Sequence, residues 1–327
     1  MKTGEDKLVR RIASALAFKG RGGLVLGVGD DAALLIPASG HQTILTCDWF
    51  LEGSHFLRDK HPPDSIGWKC LARAVSDVAA MGGEPKHFLL SLALPGTHTG
   101  KWLDVFLRGL ARAGRRFRCQ LAGGDTTRSD EILINVTVVG EVRGDRAVRR
   151  SGAKLGDLIF VSGRLGEAAF GLRSLRDSRG AGHRNNLSVK KHLYPEPRLA
   201  LGRWLAEKLI ATAMMDLSDG LSTDLSRLCA ASRAGARISS DRIPKVKLAR
   251  GKKQQQLDAT ELALNGGDDY ELLFTVSPRQ ARRVPPTFQG VRLTCIGEIT
   301  RRQRIVLIRP GGREENLAAR GWDPWMS

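Results

Sequence analysis

Residues 214–231 read Met-Met-Asp-Leu-Ser-Asp-Gly-Leu-Ser-Thr-Asp-Leu-Ser-Arg-Leu-Cys-Ala-Ala. An apolar run broken by Asp216, a turn at Ser218-Asp219-Gly220 and a following periodic stretch predict strand, turn and helix. Working outward, 158–161, 271–276, 293–299 and 305–309 predict strands, while 166–175 and 197–209 predict helices. Towards the N-terminus, strands are expected at 23–27, 43–47, 88–94 and 132–142, the last alternating apolar residues with Asn135 and Thr137. Helical spacing fits 65–81, through Ile66, Leu71, Val75 and Val78, and also 102–113. Leu8, Ile12 and Leu16 share one helical face, and Glu5 and Asp6 precede the basic pair. This predicts an amphipathic helix and not a signal peptide. The Gly-, Lys- and Asp-bearing segment 151–157 marks a junction. The expectation is an α/β (α+β) chain of two domains, 1–149 and 150–327. The basic stretch 173–192 is expected to be a mobile loop.

The chain has 327 residues, 42% hydrophobic and 26% charged. That balance excludes intrinsic disorder and fibrous repeats. No apolar run approaches the ~18 residues of a membrane span. Five cysteines, at 47, 70, 119, 229 and 295, form no CxxC pair. They read as free thiols in a reducing compartment, and a cytoplasmic protein is expected. The net charge of +18 raises a nucleic acid as a partner. No aromatic residues interleave the basic clusters, so a solvated basic surface is the preferred reading and a nucleic acid the weaker one.

Six segments set aspartate beside glycine or another small residue in contexts read as turns or strand ends. They carry Asp30 and Asp31, Asp48, Asp77, Asp125, Asp216 with Asp219, and Asp268 with Asp269. Taken singly, each Asp-Gly pair reads as a turn. Taken together, so many carboxylates in one pocket would need counter-ions, because like charges raise one another's pKa. Mg²⁺ resolves this, since it takes one or two carboxylates plus substrate phosphates. The glycines allow backbone N–H groups to approach phosphate oxygens. Arg150 and Lys154 lie close in sequence, and the combination suggests a nucleotide-phosphate site. GxxxxGK[ST], the protein-kinase signatures and a GxGxxG after a strand are all missing, so these better-known nucleotide folds are not supported.

Eight motifs occur in order: GVGDDAALL (27–35), TCDWFLEGSHF (46–56), SDVAAMGGEP (76–85), GGDTT (123–127), RSGAKLGD (150–157), YPEPR (194–198), MDLSDGLSTDL (215–225) and GGDDYELLF (266–274). In these the chain resembles the thiamine-monophosphate kinase family, of the superfamily that includes aminoimidazole ribonucleotide synthetase and selenophosphate synthetase. The resemblance implies ATP-dependent phosphorylation of thiamine monophosphate to thiamine diphosphate, by direct in-line transfer with several Mg²⁺ ions. It implies two α/β domains, a homodimer formed through a shared β-barrel, and an active site in the cleft between domains. By position, Asp31, Thr46, Cys47, Asp48, Asp77, Asp125, Asp216 and Asp219 would hold metal. Gly124, Asp125, Arg150 and Ser218 would contact ATP, and His55, Asp268 and Trp322 would line the thiamine monophosphate site. Cys47, Asp268 and Trp322 stand where the family usually has Thr, Glu and Tyr. Two other readings stay open: a relative acting on a different phosphorylated or carboxylated substrate, and a nucleic-acid-binding protein on an inactive kinase scaffold.

Overall fold

The computed structural model describes residues 5–18, 23–28, 32–177, 187–248 and 257–325. The chain divides into two compact units, one of residues 1–78 and 83–145, the other of residues 79–82 and 146–327.

The first unit runs α1 (Glu5–Leu16), β1 (Leu24–Leu26), β2 (Leu34–Leu35), β3 (His41–Leu51), α2 (Pro63–Ala80), β4 (Glu84–Leu94), α3 (Lys101–Phe117), β5 (Gln120–Arg128) and β6 (Leu133–Arg143). Four of these strands form a sheet in the order β3-β6-β4-β5, with β4 and β5 parallel and the other neighbours antiparallel. Strand alternation gives the sheet two unlike faces. One buries Phe88, Leu90, Leu92, Ile134, Val136 and Val138, and Leu71, Val75, Val78, Leu103, Phe106 and Leu110 of α2 and α3 are buried with them. The two helices approach closely because both carry glycine at the crossing. A Cβ on Gly67 would stand 2.1 Å from the Phe106 carbonyl oxygen, and one on Gly109 1.9 Å from that of Asp64. The other face leaves Leu45 70%, Trp49 55% and Leu89 37% exposed. This sheet is open, and among the described residues the chain closes no barrel of its own.

The second unit continues with β7 (Leu158–Ser162), α4 (Glu167–Asp177), α5 (Leu187–Leu193), α6 (Leu199–Glu207), β8 (Ala211–Leu217), α7 (Leu221–Ala231), β9 (Gly235–Ser239), α8 (Ala259–Asn265), β10 (Glu271–Val276), α9 (Pro278–Ala281), β11 (Thr287–Phe288), β12 (Val291–Thr300), β13 (Ile305–Ile308) and β14 (Glu314–Asn316). Its sheet has the order β14-β13-β9-β12-β7-β10-β8, with β11 attached to β12. Leu221, Leu225 and Leu228 of α7 and Leu264 of α8 pack on one face with Ile159, Val161 and Met215. Leu201 and Leu205 of α6 cover the other with Phe160, Met214 and Phe274. Strands β8 and β10 are antiparallel, with Leu217 opposite Glu271. The segment leaving β8 and the segment entering β10 therefore emerge side by side.

Several expectations need correction. Gly123-Gly124-Asp125-Thr126-Thr127 is not a turn but the interior of β5, and Asp48 lies within β3 and Asp216 within β8, while Asp77 lies in α2, the helix expected over 65–81. The basic stretch 173–192 is not one loop, since 173–177 completes α4 and 187–192 belongs to α5, with 178–186 outside the described residues. No helix among the described residues is long and apolar enough to cross a membrane.

Candidate functional site

In the first unit the strand period sorts the predicted residues by face. Trp49, Asn135, Ser91 and Asp125 are successive register partners across β3, β6, β4 and β5, so Asp125 shares the exposed face with Trp49. Cys47 belongs to that face too, with Sγ 3.2 Å from Asn135 Nδ2. Thr46 and Asp48, one residue either side, point to the helix-covered side. There Thr46 Oγ1 donates to Asp77 Oδ2 at 2.5 Å, and Arg73 stands 4.0 Å from Asp48. The structure thus brings Thr46 and Asp77 together and turns the Cys47 thiol away from them. Gly124 is required where it is, because a Cβ would stand 2.0 Å from the Leu90 carbonyl oxygen. Next to Asp125, the Thr126 hydroxyl is buried with no hydrogen-bond partner. His55 closes a tight turn: its N–H donates to the Leu51 carbonyl at 2.8 Å and its Nδ1 accepts from Leu51 N at 3.1 Å. Asp31 lies outside the described residues.

In the second unit Asp216 is buried near the end of β8, two residues before Ser218. Sequence reasoning missed the group that organises the turn after this strand. Asp224, on α7, accepts hydrogen bonds at one carboxylate oxygen from the backbone N–H groups of Ser218 (3.1 Å), Asp219 (3.0 Å) and Gly220 (3.1 Å). Burial, followed by the negative charge of Asp219, pushes Asp224 up to about 7. Arg227 contacts Asp219 and lies 3.1 Å from Asp224, supplying the positive charge this acidic turn needs. The signal for Asp224 was present in MDLSDGLSTDL as its third aspartate; Arg227, three residues on, carried none.

Asp268 N donates to the Ser218 carbonyl at 2.8 Å, and Trp322 N donates to that of Asp219 at 3.0 Å. Ser218, Asp219, Asp268 and Trp322 are therefore neighbours. Arg150 is exposed in a short 3₁₀ turn, and its carbonyl accepts from Ser232.

The residues after Asp268 are structural supports. Asp269 accepts from the N–H groups of Gly166 (2.6 Å) and Ala168 (3.0 Å), capping the start of α4 from a distant part of the chain. Burial raises it to about 6, against the opposing pull of Lys191. Glu271 is completely buried yet held down to about 2. Burial alone would raise it, but Lys191 and Arg198 outweigh that. Lys191 bonds it at 2.7 Å and Arg198 grips it with two bonds, at 2.7 and 2.6 Å. Arg198 is the last residue of YPEPR and Glu271 lies in GGDDYELLF, so two of the eight motifs meet in this ion pair.

Among the described residues no three His, Cys, Asp or Glu side chains gather into a metal-sized cluster. Mg²⁺ asks for less than that, since phosphate oxygens complete its shell. Within the first unit Thr46 with Asp77 forms a pair of hard oxygen donors on the helix-covered side, which fits an ion completed by phosphate oxygens, and Asp125 is exposed on the opposite face; within the second unit Asp219 lies on a turn. The Cys47 thiol is too soft a donor for that ion and faces elsewhere.

Residues 29–142 match the family described as AIR synthase related protein, N-terminal domain, and residues 154–309 its C-terminal domain. The thiamine-monophosphate kinase of Escherichia coli K12 is 37% identical over 99% of this chain and 98% of its own length. That of Bacillus subtilis is 36% identical over 77% and 78%. The crystal structure of the thiamine-monophosphate kinase from Stenotrophomonas maltophilia superposes with a TM-score of 0.80 at 35% identity, covering 96% of this chain and 98% of that one. AaThiL complexed with AMPPCP and TMP gives 0.76 at 32%, covering 98% and 96%. The hydrogenase maturation protein HypE of E. coli shares the fold at 22% identity and a TM-score of 0.78. With both domains matched and relatives aligned from end to end, this chain belongs to the thiamine-monophosphate kinase family of AIR synthase related proteins.

Proposed function

We propose that this chain catalyses transfer of the γ-phosphoryl group of ATP to the phosphate of thiamine monophosphate, giving thiamine diphosphate and ADP. The observation that carries this is the near-complete superposition on AaThiL complexed with AMPPCP and TMP. In that protein AMPPCP, whose methylene link blocks transfer, stands in for ATP beside TMP.

The residues suit direct in-line transfer. Phosphoryl transfer passes through a loose transition state, so catalysis rests on positioning and charge neutralisation and not on a covalent intermediate. Gly124 lets backbone approach without a side chain, and Ser218 lies on a turn whose N–H groups are organised by Asp224. Gly124, Asp125, Arg150 and Ser218 are assigned to ATP. Thr46, Asp48, Asp77, Asp125, Asp216 and Asp219, with Asp31, are assigned to Mg²⁺, and Cys47 takes part only through its backbone carbonyl. When bound, Mg²⁺ would supply positive charge against the phosphates, and these oxygen-bearing side chains would hold it. His55, Asp268 and Trp322 are assigned to thiamine monophosphate, Trp322 offering a flat face to a cationic or aromatic ring.

Two copies pair through the outer face of the first unit's sheet. Exposed Leu45, Trp49 and Leu89 make that face apolar, and pairing would close it into a barrel. The five free cysteines fit a reducing cytoplasm.

ADP release should be measured with ATP, Mg²⁺ and, in parallel, thiamine monophosphate, unphosphorylated thiamine or another phosphorylated acceptor. Turnover with thiamine monophosphate above the others supports the assignment. Turnover only with a different acceptor moves it to another member of the superfamily.

A further inference from the structure

One buried hydroxyl joins the two segments that carry Asp268 and Trp322. Ser222 is fully buried in the first turn of α7. Its Oγ donates to Asn265 Oδ1 at 2.7 Å and accepts from the backbone N–H of Arg320 at 3.2 Å. Asn265 donates Nδ2–H to Glu261 at 2.8 Å, which turns Oδ1 to Ser222 as the acceptor of its hydroxyl proton. Asn265 ends α8 and leads through Gly266 and Gly267 to Asp268; Arg320 leads through Gly321 to Trp322.

The neighbouring contacts tighten the same junction. Gly321 N donates to Thr223 Oγ1 at 2.9 Å. A Cβ on Gly321 would stand 2.0 Å from the Asp219 carbonyl oxygen, so glycine is what lets this segment lie against the acidic turn. Further back, a cavity of about 270 Å³ lined by Leu264, Asn265, Asn316, Leu317 and Arg320 separates the C-terminal segment from α8. Leu317 packs on the core that holds Leu264 and its N–H donates to the Ile305 carbonyl at 2.9 Å, and beyond it the bonds at 320–322 locate the segment.

We infer that Ser222 is the positioning residue that fixes the distance between Asp268 and Trp322, and so sets the width of the slot that receives the thiamine end of the acceptor. This rests on the proposed function for the identity of the acceptor. It deepens that assignment by placing acceptor affinity under the control of a side chain that touches neither substrate.

The test compares Ser222→Ala, which removes both bonds of the link, and Asn265→Ala, which removes the one to the Asp268 segment, with the double variant. Losing one hydrogen bond of this kind should raise the KM for thiamine monophosphate about tenfold, with kcat and the KM for ATP unchanged. Since Ser222→Ala already removes the bond to Asn265, the double variant should cost no more than Ser222→Ala alone. Hydrogen exchange in the absence of substrate supplies the readout that does not depend on turnover. Amides of 266–268 and 320–322 should exchange faster together in Ser222→Ala, and those of 266–268 alone in Asn265→Ala, which leaves α7 intact should Ser222→Ala fold poorly. An unchanged KM for thiamine monophosphate, additive effects, or faster exchange in only one of the two segments of Ser222→Ala would overturn the inference. Absence of thiamine monophosphate turnover in the unmodified protein, with exchange still coupled, would instead strike the proposed function.

Discussion

The hydroxyl of Tyr270 donates to Asp268 Oδ1 at 2.7 Å, and both residues hold a left-handed backbone, with φ of +48° and +69°. Such conformations are costly for residues with side chains, and they persist only where surrounding contacts enforce them. Here the buried Tyr270 ring anchors the loop while its polar end holds the carboxylate assigned to thiamine monophosphate. Tyr270→Phe keeps the ring and removes the hydroxyl. It should raise the KM for thiamine monophosphate about 3–10-fold, the worth of one hydrogen bond, with kcat largely retained. Steady-state kinetics with each substrate varied in turn checks this.

Glu271 should be a stability residue. Replacing it with Ala leaves Lys191 and Arg198 without their shared carboxylate, and breaking a buried pair in this way costs about 3–5 kcal/mol. Urea denaturation should show the loss as a lower midpoint.

The same carboxylate predicts a pH dependence. Its folded pKa, about 2, lies below the ordinary 4.5, so the stabilisation is complete above pH 4.5 and is lost as pH falls towards 2. Glu271→Gln should flatten the stability profile across that window. An equally steep profile in the variant would assign the acid sensitivity to other groups.

How much of this was legible in the sequence differs from residue to residue. The strand at β10 and the strand–turn–helix of 214–231 were readable because apolar periodicity and the Ser-Asp-Gly turn agree. β5 was not, because Gly-Gly-Asp carries turn chemistry in isolation, and only pairing with β4, which leaves no room for a Cβ at 124, makes it a strand. Asp269 reads locally as a turn residue, yet its partners lie about a hundred positions earlier in the chain. The resemblance named Asp219, Asp268 and Trp322 singly. Their adjacency comes from the β8–β10 register and from the bonds of 320–322, which no local pattern encodes.

Gly124→Ala should fail by sterics. The added methyl would meet the Leu90 carbonyl at 2.0 Å, forcing β5 away from β4. Overpacking of this kind typically costs about 1–3 kcal/mol. A lower melting temperature together with a raised KM for ATP is expected. By contrast Gly53→Ala meets nothing within 4 Å, and its cost should come only from the backbone, at φ +79°.

Asp125→Asn keeps the size of the side chain and removes its charge, so it should leave the melting temperature unchanged while lowering turnover by about 100-fold or more, as expected when a charge ligand of the transferring group is lost. Chelation with EDTA should abolish turnover in the unmodified protein and Mg²⁺ should restore it. Wild-type turnover in Asp125→Asn would remove this residue from the metal set.

The central claim is that the phosphoryl group of ATP ends on the phosphate of thiamine monophosphate. Phosphorus NMR of a reaction containing the protein, ATP, Mg²⁺ and thiamine monophosphate reads this directly. The single acceptor resonance should give way to the two coupled resonances of thiamine diphosphate, in equal amount with ADP. Inorganic phosphate and ADP accumulating beside an intact acceptor resonance, from a folded protein, would contradict it.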